Sequence, residues 1–247
     1  MVRYAPLAMR KLLKRLLKKS RQPRPATESP VEPQQPEQPE PTTSKEAESA
    51  PAPSGPRLIV GLGNPGGKYV ATRHNVGFDA IDLFASRLNR EPEPLTVGGQ
   101  RVADWVVDEE QGFALLWPLT FMNRSGGPVA AALRELQSDI AQMLVLTDDF
   151  HLTLGALRAR GAGSAGGHNG LRSIEDCLQT QEYARLRIGV GNPRSSTVDF
   201  VLDTFRADEQ DVIEETLIAA SSAAEDWAKG ASIEDIQARY NRRKPQA

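Results

Sequence analysis

One histidine, His74, lies in a polar loop where it could act as a general base. An imidazole titrates near neutral pH, and it takes a proton from water when a carboxylate holds its other ring nitrogen. Asp148 ends an apolar, strand-like run and is the candidate carboxylate. The competing interpretations are a loop histidine that bonds a carbonyl group and an aspartate that caps a turn or helix. Together the two side chains predict a pair that activates water.

Three asparagines could supply neutral hydrogen-bonding groups beside that pair: Asn64, Asn123 and Asn169. Amides can hold a carbonyl group and a water molecule without adding charge. Any single asparagine next to Gly or Pro is most simply a turn residue. Each of the three follows a strand-like segment, however, and ligands of α/β proteins bind outside the carboxyl ends of strands. We therefore expect the three asparagines to meet near Asp148.

The loop at 61–75 also contains Gly61, Gly63 and Gly66 in the spacing of a dinucleotide-binding fingerprint. That fingerprint requires a helix to begin within the glycine motif, so that its amides face the pyrophosphate. Here a proline and two glycines favour a turn, and the helical pattern begins some ten residues late. A ribose-binding acid could be supplied by Asp79 or Asp82. A dinucleotide enzyme therefore stays open as a weaker alternative, and we expect no cofactor.

Neither a metal site nor a cysteine nucleophile is expected. The residues His74, Asp148, His151 and His168 show none of the short ligand spacings of zinc motifs. The single cysteine, Cys177, lies in a predicted helix with no basic neighbour to activate its thiol. One cysteine also excludes an internal disulfide, which fits a reducing compartment.

Strands and helices alternate along residues 57–240, which predicts an α/β fold, a single domain with a mixed β-sheet flanked by helices. Strands are predicted at 57–60, 102–107, 113–117, 143–147, 156–161 and 185–190. Helices are predicted at 76–88, from about 125, at 171–178, at 205–224 and at 233–240.

The N-terminal part has a different composition, and we divide it into a basic amphipathic segment, 1–22, and a disordered linker, 23–56. Residues 1–27 hold nine Lys or Arg and no acid, with leucines at helical spacing. Eleven of the 18 prolines precede Arg57, in a stretch with almost nothing to bury. The basic segment could be an organellar targeting peptide, a contact to RNA, ribosomes or anionic lipid, or an extension with no specific role. No apolar run is long enough to cross a bilayer.

The charge of the remaining chain, 57–247, excludes a globally basic nucleic-acid binder. It holds 20 basic and 26 acidic residues, a formal net charge of −6. Segment 155–194 nevertheless has six Arg against three acids, whereas 203–235 has ten acids against two basic residues. A polyanion must therefore dock on one face, and Arg158 and Arg160 share one side of a predicted strand.

Six motif blocks, in order along the chain, together resemble the bacterial-type peptidyl-tRNA hydrolase family. They are 61–66 with Tyr69, 72–75, 121–126, 148–149, 163–171 and 185–189. The resemblance runs from about Leu58 to Tyr240 and excludes the first 56 residues. It implies a peptidyl-tRNA hydrolase-like, twisted mixed sheet in a catalytic domain at 57–247. It also implies a monomer in the cytoplasm, or in an organelle if the basic segment is a targeting peptide.

By this resemblance the chain cleaves the ester that joins the peptide of a stalled or dropped-off translation product to the 3′ ribose of tRNA. His74 would be the general base, and Asp148 would hold its imidazole in the basic tautomer. Asn64 matches the residue that senses the blocked amino group of the substrate. A non-catalytic RNA-binding protein on the same fold is the alternative.

The resemblance also implies a set of residues that bind peptidyl-tRNA at its acceptor stem and 3′ end. Asn123 and Asn169 would bind the tRNA end or the peptide, and Met122 would line the pocket. Tyr69 and Phe121 would be contact surfaces. Arg158 and Arg160 match positions that touch acceptor-stem phosphates, with Arg187 close by, and the acidic helix at 203–226 should face away from RNA.

The chain departs from the family pattern at 150–154, where His151 replaces a second acid. We expect activity to survive because Asp148 is retained. The loop shape and the local charge should change, and a second imidazole could shift the pH profile.

Overall fold

The computed structural model describes residues 53–88, 90–193 and 196–241. The predicted basic segment 1–22 and nearly all of the predicted linker 23–56 lie outside these ranges. Among the described helices, none combines the length and the apolar composition needed to cross a membrane.

The described residues form one mixed sheet of seven strands. The strands are β1 (Arg57–Gly61), β2 (Glu93–Val97), β3 (Gln100–Asp108), β4 (Phe113–Pro118), β5 (Met143–Asp149), β6 (Leu157–Arg160) and β7 (Ala184–Gly189). Their order across the sheet is β2-β3-β4-β1-β5-β7-β6. The central strands β4, β1, β5 and β7 are parallel, while β2 and β3 on one side and β6 on the other are antiparallel to their neighbours.

Helices cover both faces of this sheet. They are α1 (Val76–Ala85), α2 (Gly126–Glu135), α3 (Asn169–Leu178), α4 (Thr197–Leu202), α5 (Gln210–Ala228) and α6 (Ile233–Tyr240). Side chains alternate along a strand, so that Ile59 of β1 packs in a core with α1, α5 and α6, while Leu58 and Val60 pack in a second core with α2 and α3. Two layers of helices thus bury both faces of the sheet, as a parallel centre requires.

The fold class predicted from the sequence is confirmed, but several elements differ from prediction. Strand β2 was missed because Pro92 and Pro94 indicated only the end of a helix; β2 is an edge strand, where a proline without an N–H is tolerated. The helix predicted at 76–88 ends at Ala85, and α4 was not predicted. The helix predicted at 205–224 begins later, at Gln210, after the 3₁₀ turn Ala207–Glu209.

The parallel strands place their carboxyl ends along one edge of the sheet. Loops after β1 and β4, and the last residues of β5, therefore emerge side by side, as the sequence predicted. Asn169 reaches the same edge by another route. Strand β6 is antiparallel and ends at the opposite edge, where Arg160 pairs with Arg185, so the loop 161–168 must run back along the sheet.

Candidate active site

The centre of the site is a hydrogen bond between His74 and Asp148. His74 lies in the 3₁₀ turn Arg73–Asn75 between β1 and α1, and Asp148 is the second-last residue of β5. His74 Nδ1 lies 2.8 Å from Asp148 Oδ1. Because the carboxylate accepts at Nδ1, the proton sits there and Nε2 keeps its lone pair. No described residue bonds His74 Nε2, so this nitrogen is available to a water molecule.

The electrostatics of the pair favour the ionised carboxylate. Burial acts to raise the pKa of Asp148, but the charges and hydrogen bonds of His168 and His74 outweigh it and hold that pKa well below the usual carboxyl range. Burial acts to lower the pKa of His74, yet the charge of Asp148 and its hydrogen bond leave that pKa above its usual value. The pair is thus suited to accept a proton on His74 beside a fixed negative charge.

A second imidazole, that of His168, completes the cluster. His168 Nε2 lies 2.9 Å from the same Asp148 Oδ1, and the two imidazole centroids are 5.0 Å apart. His168 is also the N-cap of α3, where its Nδ1 accepts from the amides of Gly170 (3.1 Å) and Leu171 (3.2 Å). Nδ1 is therefore an acceptor, and the proton of a neutral His168 must sit on Nε2. His168 can donate to Asp148 but offers no free lone pair.

Sequence reasoning considered His168 only as a metal ligand and assigned it no catalytic role. Its position before the helical pattern at 171–178 is a cap signal, but caps are normally Ser, Thr, Asp or Asn. Asp148 Oδ2, in turn, is buried without a partner among the described side chains. One carboxylate oxygen therefore receives both imidazoles.

These three side chains are also the one group of possible metal ligands within the described part of the chain, with ligand atoms within 4.8 Å of one another. Linear spacing did not reveal this convergence. A metal ion would need a lone pair on His168 Nε2, where the helix amides at Nδ1 fix the proton. The donor set therefore fits a hydrogen-bonded cluster and does not fit a metal centre.

Asn64 is fixed next to this cluster by three hydrogen bonds. Its backbone amide donates to Asn75 Oδ1 (2.9 Å), and Asn75 Nδ2 donates back to its carbonyl oxygen (3.0 Å). The amide of Met122 donates to Asn64 Oδ1 (2.8 Å). A backbone N–H requires an acceptor, so the orientation of the Asn64 amide is set and its Nδ2 is left as a donor. No described residue accepts from Asn64 Nδ2.

The predicted meeting of the β1, β4 and α3 loops is visible at Gly170. A Cβ atom at this position would lie 2.6 Å from Met122 Sδ and 2.9 Å from Leu62 Cδ1, so only glycine allows Met122 to approach. Asn123 and Asn169 each follow a residue of this contact region and have exposed side chains. Both lie at the edge of the sheet where β5 ends with Asp148 and Asp149.

The predicted aromatic contact surfaces differ in exposure. Phe121 is 56% exposed, so much of its ring is accessible to a ligand. Tyr69 is half-buried in the 3₁₀ turn Gly67–Tyr69, with the ammonium of Lys68 4.8 Å from its ring centroid.

The basic residues of β6 and β7 lie on one face of the sheet. Leu157, Ala159, Leu186 and Ile188 of these strands pack in the core with α5, so the alternating arginines face the side of α2 and α3. Arg158 and Arg160 are exposed. Arg187, which pairs in register with Arg158, is half-buried, bonded to Asp149 Oδ2 (3.2 Å) and to the carbonyl oxygen of Ser164 (2.7 Å). Arg187 is thus anchored, whereas the two β6 arginines are available to a ligand.

His151 is exposed and lies against Phe150, with ring centroids 4.3 Å apart. Its backbone amide donates to Asp149 Oδ1 (2.8 Å). Its ring makes no bond to Asp148 in the structure. Any influence of His151 on the pH profile therefore acts across a distance.

The chain is similar in sequence and in fold to known proteins. Residues 58–247 match the family model described as peptidyl-tRNA hydrolase. The peptidyl-tRNA hydrolase of Halalkalibacterium halodurans is 43% identical over 180 residues, 72% of this chain and 96% of the relative. That of Prochlorococcus marinus is 46% identical over 168 residues, 65% of this chain and 81% of the relative. A crystal structure of a mutant peptidyl-tRNA hydrolase from Acinetobacter baumannii has a TM-score of 0.68 at 30% identity, covering 78% of this chain and 98% of that one.

Proposed function

This chain belongs to the peptidyl-tRNA hydrolase family, and on that premise we propose that it hydrolyses the ester between peptide and tRNA with His74 as the general base. The observation that carries the proposal is the His74–Asp148 bond at the edge of the sheet, which leaves Nε2 of His74 without a partner among the described residues. The water is activated by this imidazole, so the reaction requires no metal or cofactor.

The proton moves twice in this mechanism. His74 Nε2 takes a proton from water as the water oxygen attacks the ester carbonyl carbon, giving a tetrahedral intermediate and an imidazolium. The C–O bond to the 3′ ribose oxygen then breaks, and that oxygen takes the proton from Nε2. The products are a peptide carboxylic acid, which ionises, and a tRNA with a free 3′ hydroxyl.

Asp148 and His168 support the imidazolium that forms. The negative charge of Asp148 lies 2.8 Å from His74 Nδ1 and stabilises the positive ring in the intermediate state. His168 Nε2 donates to the same oxygen and keeps that oxygen directed at the site. The orientation of the carboxylate is thus tied to the N-terminus of α3.

Asn64 supports discrimination of blocked from free amino groups. Its Nδ2 is a donor, because Oδ1 already accepts from the Met122 amide. A peptidyl or N-acetyl group presents a carbonyl oxygen that can accept from Nδ2. A free α-ammonium group presents only donors, so it would face a donor with no acceptor between them.

The remaining residues of the site supply binding surface. Exposed Phe121 can stack on the terminal base, and Asn123 and Asn169 can hydrogen-bond the tRNA end or the peptide. Tyr69 can supply a further contact surface, and Met122 can line the pocket. Arg158 and Arg160 can meet acceptor-stem phosphates on the α2 and α3 face of the sheet.

A monomeric enzyme in the cytoplasm is the simplest setting for this function. The site is built from residues of one chain, and the single cysteine fits a reducing compartment. A location in an organelle would require residues 1–22 to act as a targeting peptide.

The test is release of the N-acetylated amino acid from N-acetyl-aminoacyl-tRNA, with unblocked aminoacyl-tRNA as the matched substrate control. We expect hydrolysis of the blocked substrate and little of the unblocked one. Binding of tRNA without hydrolysis would favour the RNA-binding alternative. Equal hydrolysis of both substrates would contradict the role of Asn64.

A further inference from the structure

The residue before the base, Arg73, is a buried arginine with unusual surroundings. It is 3% exposed, and its guanidinium carbon lies 4.5 Å from the ring centroids of both Phe200 and Phe205. Its Nη2 bonds Glu209 Oε2 at 2.8 Å. The planar cation is therefore held by two aromatic rings and one carboxylate, all from the segment 200–209.

The backbone of the same segment is attached to the same place. The amide of Arg73 donates to the carbonyl oxygen of Asp203 (3.0 Å), and Thr72 forms an isolated antiparallel bridge with Thr204. Glu209 Oε2 also accepts from the amide of Arg206 (2.8 Å). One carboxylate oxygen thus joins the Arg73 side chain to the turn that begins the long helix α5.

On the other side of the base, Asn75 is equally fixed. It is 5% exposed and exchanges two hydrogen bonds with the backbone of Asn64. His74 therefore lies between two buried anchors that belong to different parts of the fold. Its own side chain has one hydrogen bond among the described residues, to Asp148, so the position of the backbone turn decides where the imidazole lies.

Stability alone does not account for an arginine at this position. Arg73 Nε and Nη1 are buried without a partner among the described groups. A buried donor without a partner destabilises the folded state. The rings and Glu209 offset that cost through cation–π contacts and an ion pair, but an apolar side chain would avoid it. What a guanidinium supplies is a contact of defined direction.

We propose that Arg73 is a positioning residue for the reaction: it fastens the turn that carries His74 to the segment 200–209 and so fixes the imidazole against Asp148. The inference rests on the proposed function for its kinetic consequence. It predicts that loosening this contact changes the state of His74 without removing any group that touches the substrate.

The test is the Arg73→Lys variant, which keeps the charge and loses the planar stack, compared with Arg87→Lys as a matched control. Arg87 also pairs with a carboxylate, Glu225 (2.9 Å), and also lies over an aromatic ring, that of Phe84 (5.6 Å), but it follows the far end of α1. The first measurement is NMR titration of the His74 ring, which needs no activity. Because the charge of Asp148 raises the pKa of His74, a displaced imidazole should titrate at lower pH in Arg73→Lys and at the wild-type pH in Arg87→Lys.

The second measurement is kinetic. We expect kcat to fall about tenfold in Arg73→Lys with KM unchanged, because substrate contacts are retained while the base is displaced. Glu209→Gln keeps the shape of the side chain but weakens its contact with Arg73. This variant replaces Arg73→Lys in both measurements if Arg73→Lys does not fold. If His74 titrates at the wild-type pH in folded Arg73→Lys or folded Glu209→Gln, the inference is overturned. Absence of hydrolysis by the wild-type chain would instead overturn the proposed function, and the titration would still test the positioning role.

Discussion

At the scale of single residues, the site depends on where protons sit on two imidazoles. Asp148 receives an N–H from both, but from Nδ1 of His74 and from Nε2 of His168. The remaining nitrogen of His168 is occupied by the amides of α3, whereas that of His74 has no partner in the part of the chain that the structure describes. The two imidazoles thus differ in their contacts, and of the two only His74 keeps a lone pair that could take a proton from water.

Removing the charge of Asp148 should show this dependence. In Asp148→Asn the side chain keeps its size, but the imidazolium loses its counter-charge, and we expect kcat to fall roughly 10²–10⁴-fold. The pKa of His74 should also fall, because the coulombic effect that raises it is lost. The measurement is kcat against pH, in which the acid limb moves to lower pH. An unchanged rate in a folded variant would contradict the pairing.

From the sequence, His74 could be proposed as a site residue because it lies in a polar loop, and Asp148 and Asn64 because each follows a strand-like segment. His168 could not, because its role depends on a helix terminus and a tautomer, neither of which leaves a pattern in the chain. The Asn75 contacts to the Asn64 backbone were hidden for the same reason: a turn motif predicts a loop, and the folded loop alone shows which atoms meet.

At the scale of elements, parallel strands explain why distant loops converge. The rule that strand ends share an edge correctly placed the loops after β1 and β4 and the end of β5. It gave the wrong route for Asn169, because β6 runs antiparallel and ends at the opposite edge. Helix α4 was not predicted because six residues are too few to show a clear helical period. Its contact with Arg73 was not predicted because it joins positions more than 120 residues apart.

The exposed arginines of strand β6 are predicted to contact tRNA phosphates. Arg158→Ala should raise KM and leave kcat unchanged, because an exposed edge-strand arginine can contact phosphate without touching the ester. The slope of the logarithm of binding affinity against the logarithm of salt concentration should become shallower by about one, because one phosphate contact is lost. Arg134→Ala is the control, since Arg134 is also exposed but lies in the last turn of α2. If KM changes with salt concentration as steeply in Arg158→Ala as in wild type, Arg158 does not contact a phosphate.

At the scale of the whole molecule, charge is divided between the two faces of the sheet. The exposed arginines of β6 face the side of α2 and α3, while α5, from the acidic segment 203–235, packs on the other side together with α6. A net charge of −6 over 57–247 therefore coexists with a face that a polyanion can approach. The composition of segments 155–194 and 203–235 indicated that basic and acidic residues are separated along the chain. The alternation of side chains along the strands then places the β6 arginines on one face of the sheet.

The core also holds two carboxyl groups that make stability depend on pH. Burial raises the pKa of Asp82 to about 7, against a hydrogen bond from Trp117 Nε1 (2.8 Å) that lowers it. Burial and the nearby Asp82 raise the pKa of Asp79 well above its usual value. A carboxyl group whose pKa is raised in the folded state is protonated there while the unfolded chain ionises. Its contribution to stability is therefore lost as pH rises from about 4 to about 7.

The Asp82→Asn variant tests this account, because an amide can still accept from Trp117 but cannot ionise. We expect its free energy of unfolding to exceed that of wild type above pH 7, by at most about 4 kcal/mol, and to vary less between pH 4 and pH 7. Urea denaturation across this range measures both quantities. The same pH dependence in variant and wild type would show that Asp82 is not the responsible group.

In the proposed mechanism, His74 activates the water that cleaves peptidyl-tRNA. The most direct measurement compares His74→Ala with wild type in two assays, release of the N-acetylated amino acid from N-acetyl-aminoacyl-tRNA and equilibrium binding of the same substrate. Loss of the base should leave binding close to wild type and lower turnover by at least about 10²-fold. Hydrolysis by folded His74→Ala at the wild-type rate would contradict the claim.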